Sequence, residues 1–165
     1  MDNKPYLKKV ETNMNIAKQR AVKRRLTNIN WLHTSLLSLD ENIGKFDYIS
    51  CTGVLHHLDD PLLGLKTLKN LLNDAGAMGL MLYGEYGRTG VYQMQQLMKM
   101  INVNENQLAD KVINTKKILA NLPETNWFTH NEKFLVDHIN GEDNGLVDLL
   151  LHEQDRAYSI LDVYQ

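Results

Sequence analysis

The run Phe46-Asp-Tyr-Ile-Ser-Cys-Thr-Gly-Val-Leu-His-His-Leu-Asp-Asp-Pro61 leaves a chain few ways to fold. Residues 46–51 are mostly aromatic, β-branched or small, and too few for a helix of their own, so they read as a strand. Thr52 and Gly53 end that strand on small residues, and a position without a Cβ allows close approach to the backbone. Pro61 suits a first helical turn, where its missing amide hydrogen is not needed, and Asp59 or Asp60 is placed to cap it. Leu62, Leu63, Leu65, Leu68, Leu71 and Leu72 follow as a helical stripe. Strand, small-residue turn and helix is the order in which an open α/β sheet exposes a ligand crevice at the carboxyl end of a strand.

The flanking sequence extends this pattern. Asn73-Asp74-Ala75-Gly76 is expected to stop the helix, and 77–83 (Ala-Met-Gly-Leu-Met-Leu-Tyr) reads as a buried strand. Upstream, 29–33 (Ile-Asn-Trp-Leu-His) reads as a short strand after a turn at Asn28. Residues 1–10 make a poor strand. Thr12 or Asn13 can cap a helix over 14–26, with Met14, Ala17, Ala21, Val22 and Leu26 at helical spacing. The second half is helical: 91–101, 106–122 closed by Pro123, and shorter candidates at 131–139, 145–151 and 157–163. The fold class is therefore α/β, with parallel strands near 29–33, 46–51 and 77–83 and a helical C-terminal half. At 165 residues one domain is expected, with an α/β core over 12–100 and a helical extension over 101–165.

Charge and cysteine content narrow the function. A net charge of -2 gives no reason to expect a nucleic-acid partner. Lys18, Arg20, Lys23, Arg24 and Arg25 read as the wet face of the first helix, since no aromatics interleave them for base stacking. No signal core and no span of roughly 18–20 apolar residues is present, so no membrane partner is expected. A single cysteine, Cys51, excludes an internal disulfide and suits a cytoplasmic setting. Met94, Met98 and Met100 read as core filling.

His56 and His57 with Asp59 and Asp60 invite a metal site, but adjacent residues rarely converge on one ion without help from elsewhere, and no metal is expected. No Gly-x-Ser-x-Gly elbow supports a hydrolase, and Cys51 lacks a neighbouring positive charge to activate it. Two readings of 52–57 stay open: a ligand crevice rimmed by His56 or His57, or a plain turn with capping histidines.

Several pieces, in matching order, resemble class I S-adenosylmethionine-dependent methyltransferases of the type marked by Leu55-His56-His57-Leu58. Ala17-Lys-Gln-Arg-Ala21 resembles the helix after that family's second strand, 28–39 the third strand and adenine loop, and 46–61 the fourth strand. Residues 64–83 resemble the next helix and fifth strand; 83–88, Val91-Tyr-Gln93 and, more faintly, 148–158 resemble the continuation. The resemblance implies a partial Rossmann-like methyltransferase sheet, S-adenosylmethionine as cofactor and methyl transfer to an unknown acceptor. It places Ser35 and Leu36 near the adenine and Thr52 and Gly53 beside the methionine part. His56 and His57 would face the methyl or acceptor side as weak catalytic candidates, and Tyr83 and Arg88 would line the acceptor pocket.

The family's glycine-rich loop and the acid ending its second strand have no counterpart; Gly44 is the only glycine before Gly53. In the family the sheet order is 3-2-1-4-5, so the strands at 29–33 and 46–51 would have two missing neighbours between them. The expectation is a fragment truncated at both ends, with an oligomer or partner chain covering exposed sheet edges. The alternative is a non-catalytic remnant serving as an interaction module.

Overall fold

The computed structural model describes residues 4–131, 135 and 141–164. They fall into two compact units, 1–35 and 36–165.

The first unit is helix α1 (Lys4–Lys23) and the chain that leaves it. The helix begins ten residues earlier than the sequence predicted. Pro5 falls in its first turn, the one helical position where proline is at home, and that signal outweighed the polar composition of 1–10. Arg20 and Lys23 sit in the last turn, where positive charge complements the helix dipole. Ala21 is buried, Met14 and Ala17 are half-buried, but Val22 is exposed. The helix unwinds through Arg25, at φ +56°. The predicted strand at 29–33 does not form. A strand exists only with a hydrogen-bonded neighbour, these residues have none among those described, and Ile29, Trp31 and Leu32 are exposed.

The second unit starts from β1 (Phe46–Thr52), α2 (Pro61–Asn70) and β2 (Leu72–Met81). The strands pair in parallel, from Phe46 opposite Leu72 to Thr52 opposite Met81. The Asp60 carboxylate accepts the Leu63 amide at 2.9 Å, so Asp60 rather than Asp59 caps α2, with Pro61 in its first turn. Leu68 packs against Cys51 and Leu55, and Leu71 is buried as well. The predicted stop at 73–76 falls instead inside β2. Helix α2 has already ended at Asn70, and 73–76 become an irregularity: the partner of Phe46 is Leu72, but the partner of Tyr48 is Ala77. The Asn73 side-chain amide holds the irregularity by donating to Asp47 at 2.6 Å. Among the described residues the sheet therefore has two strands, not three, and the second spans 72–81 rather than 77–83.

Beyond β2 come α3 (Val91–Ile101), α4 (Leu108–Leu119), α5 (Trp127–Asn131), α6 (Glu142–Leu150) and α7 (Ile160–Tyr164). Of the helix expected over 131–139, all but Asn131 and Leu135 lie outside the described residues. Two apolar clusters result. Val91, Met94, Met98, Val112, Phe128, Leu135, Leu146, Leu149 and Leu150 form the larger, among the helices. Cys51, Leu55 and Leu68 form the smaller, under the sheet, with Leu36 and Met78 packed against them. Met94 and Met98 fill the core as predicted, but Met100 faces solvent. No helix among the described residues is long and apolar enough to cross a membrane. The architecture is mixed α/β: mainly helical, built on a small parallel sheet.

Candidate functional site

The two strands deliver their carboxyl ends side by side, and the polar residues of the unit gather there. At the end of β1, Gly53 adopts φ +71°, a left-handed conformation that costs a side-chain-bearing residue roughly 1–2 kcal/mol. Its amide still donates to the Met81 carbonyl at 3.3 Å, tying the turn to the end of β2. A short 3-10 turn, Leu55–His57, then puts His56 wholly inside and leaves His57 half-buried.

At the end of β2, the chain passes Tyr83 into a second 3-10 turn, Tyr86–Arg88. The segment after α6 returns to the same place. Tyr158 donates its amide to the Tyr83 carbonyl at 2.8 Å and accepts the Glu85 amide at 3.0 Å, forming a parallel bridge with Gly84. That bridge fixes His152 and Asp155 against the strand ends.

The side chains interlock. Arg88 donates to Asp155 at 2.7 Å, an ion pair with both side chains almost fully buried. Gln95 of α3 donates to the same Asp155 oxygen at 3.0 Å and to the Leu149 carbonyl at 2.9 Å. The Arg88 guanidinium lies 3.8 Å from the centre of the Tyr83 ring, a cation–π contact, and His56 also stacks on Tyr83 at 3.8 Å. His57 stacks on His152 at 4.1 Å and meets His56 edge-on at 4.3 Å. His57 Nδ1 lies 2.9 Å from the Gln154 carbonyl. A carbonyl only accepts, so Nδ1 carries the proton and a neutral His57 has its lone pair on Nε2.

Burial sets the protonation states. It pushes His56 down to about 4, helped by the neighbouring His57, so His56 is neutral at pH 7. Burial raises the Tyr83 hydroxyl, opposed by Arg88, and drives Tyr92 up to about 12, helped by the Asp155 carboxylate. Burial also raises the Cys51 thiol, which keeps it protonated and inert as the sequence implied.

Residues 10–78 match a family described as a methyltransferase domain. The chain is 31% identical over 132 residues to an uncharacterised protein of Synechococcus, covering 79% of this chain and 32% of that one. The fold resembles PKMT2 from Rickettsia typhi in complex with AdoHcy, with a TM-score of 0.61 at 22% identity over 93% of this chain and 31% of that one. The family match runs from within α1 through β1 and α2 into β2. A shorter match, 44% identical over 54 residues, links the chain to the tRNA U34 carboxymethyltransferase of Campylobacter concisus, covering 33% of this chain and 19% of that protein. The chain thus spans about a third of the Synechococcus relative's length and a fifth of the Campylobacter one's.

The site residues expected from the sequence divide into two groups. His56, His57, Tyr83 and Arg88 come together in one cluster. Thr52 and Gly53 precede it at the end of β1, Thr52 exposed and opposite Met81. Ser35 ends the first unit, whereas Leu36 opens the second and packs beside α2 near Gly64. Sequence reasoning missed Tyr92, Gln95, His152 and Asp155. The signal was available: 148–158 already resembled the family, and that segment supplies both His152 and Asp155.

Proposed function

We propose that the chain supplies one wall of the methyl-donor crevice of an S-adenosylmethionine-dependent methyltransferase, with the buried cluster facing the methyl acceptor. The observation that carries this is Gly53 in a left-handed turn at the carboxyl end of a parallel strand, immediately before that cluster. Among the described residues a Cβ built there would find only the Met81 methyl, at 3.5 Å, which leaves room for a ligand group at the backbone. Thr52 and Gly53 would hold the amino-acid end of the cofactor, and Ser35 and Leu36 the adenine. When bound, S-adenosylmethionine supplies an electrophilic methyl group on a sulfonium.

The chain's own residues then position the acceptor and exclude water, which is most of what an in-line methyl transfer requires. Between the histidines, His57 is the better candidate for a base. His56 holds a proton too weakly, whereas His57 has its Nε2 lone pair fixed by the Gln154 carbonyl. Tyr83 and Arg88 would form the acceptor wall, with Arg88 held in place by Asp155. A partner chain or second copy would cover the outer sheet edges.

Calorimetry with S-adenosylhomocysteine tests the reading. Binding that weakens about tenfold or more in Gly53→Val, with the fold intact by circular dichroism, is the expected result. Absence of binding at millimolar ligand would instead leave the chain as a non-catalytic interaction module.

A further inference from the structure

His56, His57 and Asp155 each bring one potential ligand atom within 4.8 Å of the others. The three come from the turn after β1 and the segment after α6, which the bridge between Gly84 and Tyr158 holds together. Neither ring nitrogen of the wholly buried His56 has a hydrogen-bond partner among the described residues, and neither has Asp155 Oδ1. Leaving buried polar atoms unpaired is costly, and one ion could take up one His56 nitrogen together with Asp155 Oδ1. From the geometry at these residues we infer that His56, His57 and Asp155 bind a divalent transition-metal ion of the zinc or ferrous class.

The donor chemistry selects that class. Two imidazoles and one carboxylate suit zinc or non-haem iron, whereas magnesium and calcium prefer oxygen ligands. The surroundings orient each ligand. Because His57 Nδ1 donates to the Gln154 carbonyl, Nε2 is free to coordinate, the arrangement common to metal-bound histidines; with an ion bound, His57 is a ligand and the base role proposed above is given up. Arg88 and Gln95 both hold Asp155 through Oδ2, which leaves Oδ1 for the ion and fixes the carboxylate plane. Tyr83, stacked on His56, restrains that ring. Metal–nitrogen bonds of about 2.0–2.1 Å put neighbouring ligands about 3.3 Å apart in a tetrahedral site, so the three groups close by at most about 1.5 Å on binding. The half-buried His57 is the natural mover. The sequence gives no expectation of a metal, the nearby carboxylates being Asp59 and Asp60; both are exposed, and Asp60 is committed to capping α2.

The test is binding of zinc alone to chelator-treated protein, which is separate from binding of S-adenosylhomocysteine. Stoichiometric zinc after dialysis, measured by elemental analysis, is expected. Cobalt in its place should give visible ligand-field bands. Asp155→Asn and His57→Gln should each weaken binding about tenfold or more, while Asp59→Asn should leave it unchanged. Because Asp155→Asn also disturbs the Arg88 pair, imidazole nitrogen NMR of the unaltered protein provides a second readout: zinc should shift His56 and His57 and leave His33 and His130 in place. Substoichiometric zinc, unshifted His56 resonances, or full affinity in a folded His57→Gln protein would each overturn the inference.

Discussion

At the scale of single residues, the positions of greatest consequence are those where backbone and neighbours leave no alternative. Gly90, which precedes α3, sits at φ +91°, and a Cβ there would fall 2.5 Å from the Phe128 amide nitrogen and 2.7 Å from the Trp127 carbonyl carbon. Both are backbone atoms and cannot swing aside. Gly90→Ala should therefore cost about 2 kcal/mol or more, from the left-handed strain and the displacement of α5 together. Urea denaturation checks this, and a loss below about 0.5 kcal/mol, the usual scale of a neutral surface change, would show that the contact is not rigid. Arg88 and Asp155 make a different case. Both are buried, so removing one leaves the other as an unpaired charge in a dry site, a cost of about 3–5 kcal/mol. Arg88→Met alone should destabilise by that order, and the double change Arg88→Met with Asp155→Leu by clearly less. A double variant worse than the single one would mean that Gln95 and Tyr83 depend on the charges rather than on the packing.

At the scale of elements, α3 and α6 carry the larger core and α7 a self-contained cap. Leu149 is almost fully buried among Val91, Met94 and Met98, so Leu149→Ala should cost about 2–5 kcal/mol by thermal or chemical unfolding. Helix α7 opens with a reciprocal cap, the Ser159 hydroxyl accepting the Asp162 amide and the Asp162 carboxylate accepting the Ser159 amide. Ser159 holds the exposed Asp162 carboxyl below its ordinary value, through the hydroxyl first and then the amide. A depressed carboxylate stabilises the fold above its unfolded pKa, and that contribution disappears as the pH falls through its folded pKa. A carbon-detected NMR titration should therefore find Asp162 acidic, and Ser159→Ala should return it toward the usual range. The local chemistry of such elements was legible: Asp60 and Pro61 announced α2, and the periodicity of 91–101 announced α3 with both ends in place. The strand predicted at 29–33 failed because local composition cannot supply a neighbour, and the stop at 73–76 became a bulge because its turn residues served the pairing with Asp47 instead. The candidate site was half legible for the same reason. His56, His57, Tyr83 and Arg88 lie at the ends of readable strands, whereas Asp155 reaches them only through the tertiary bridge at Tyr158.

At the scale of the whole molecule, the parallel pair poses the sharpest question. A two-stranded sheet leaves one edge of each strand without a ladder partner, and among the described residues nothing else pairs with β1 or β2. The strands are also apolar where they are wet: Phe46 is 42% exposed, Tyr48 63%, Leu80 42% and Met81 40%. Unpaired amides and carbonyls beside exposed aromatic and aliphatic side chains are a template for another strand. Little on these strands opposes such pairing, since Asp47 and Asp74 are their only charged residues and Asp47 is already bonded to Asn73. The isolated chain should accordingly self-associate, its mass by light scattering rising with concentration across the micromolar range. Tyr48→Lys should suppress that rise, because a lysine in mid-strand opposes edge pairing, and should leave the buried Arg88–Asp155 pair intact. A chain that stays single at high concentration would show that the edges are covered in solution by its own residues. If association persisted unchanged in Tyr48→Lys, it would arise from another surface, with exposed Val22 of α1 the next candidate.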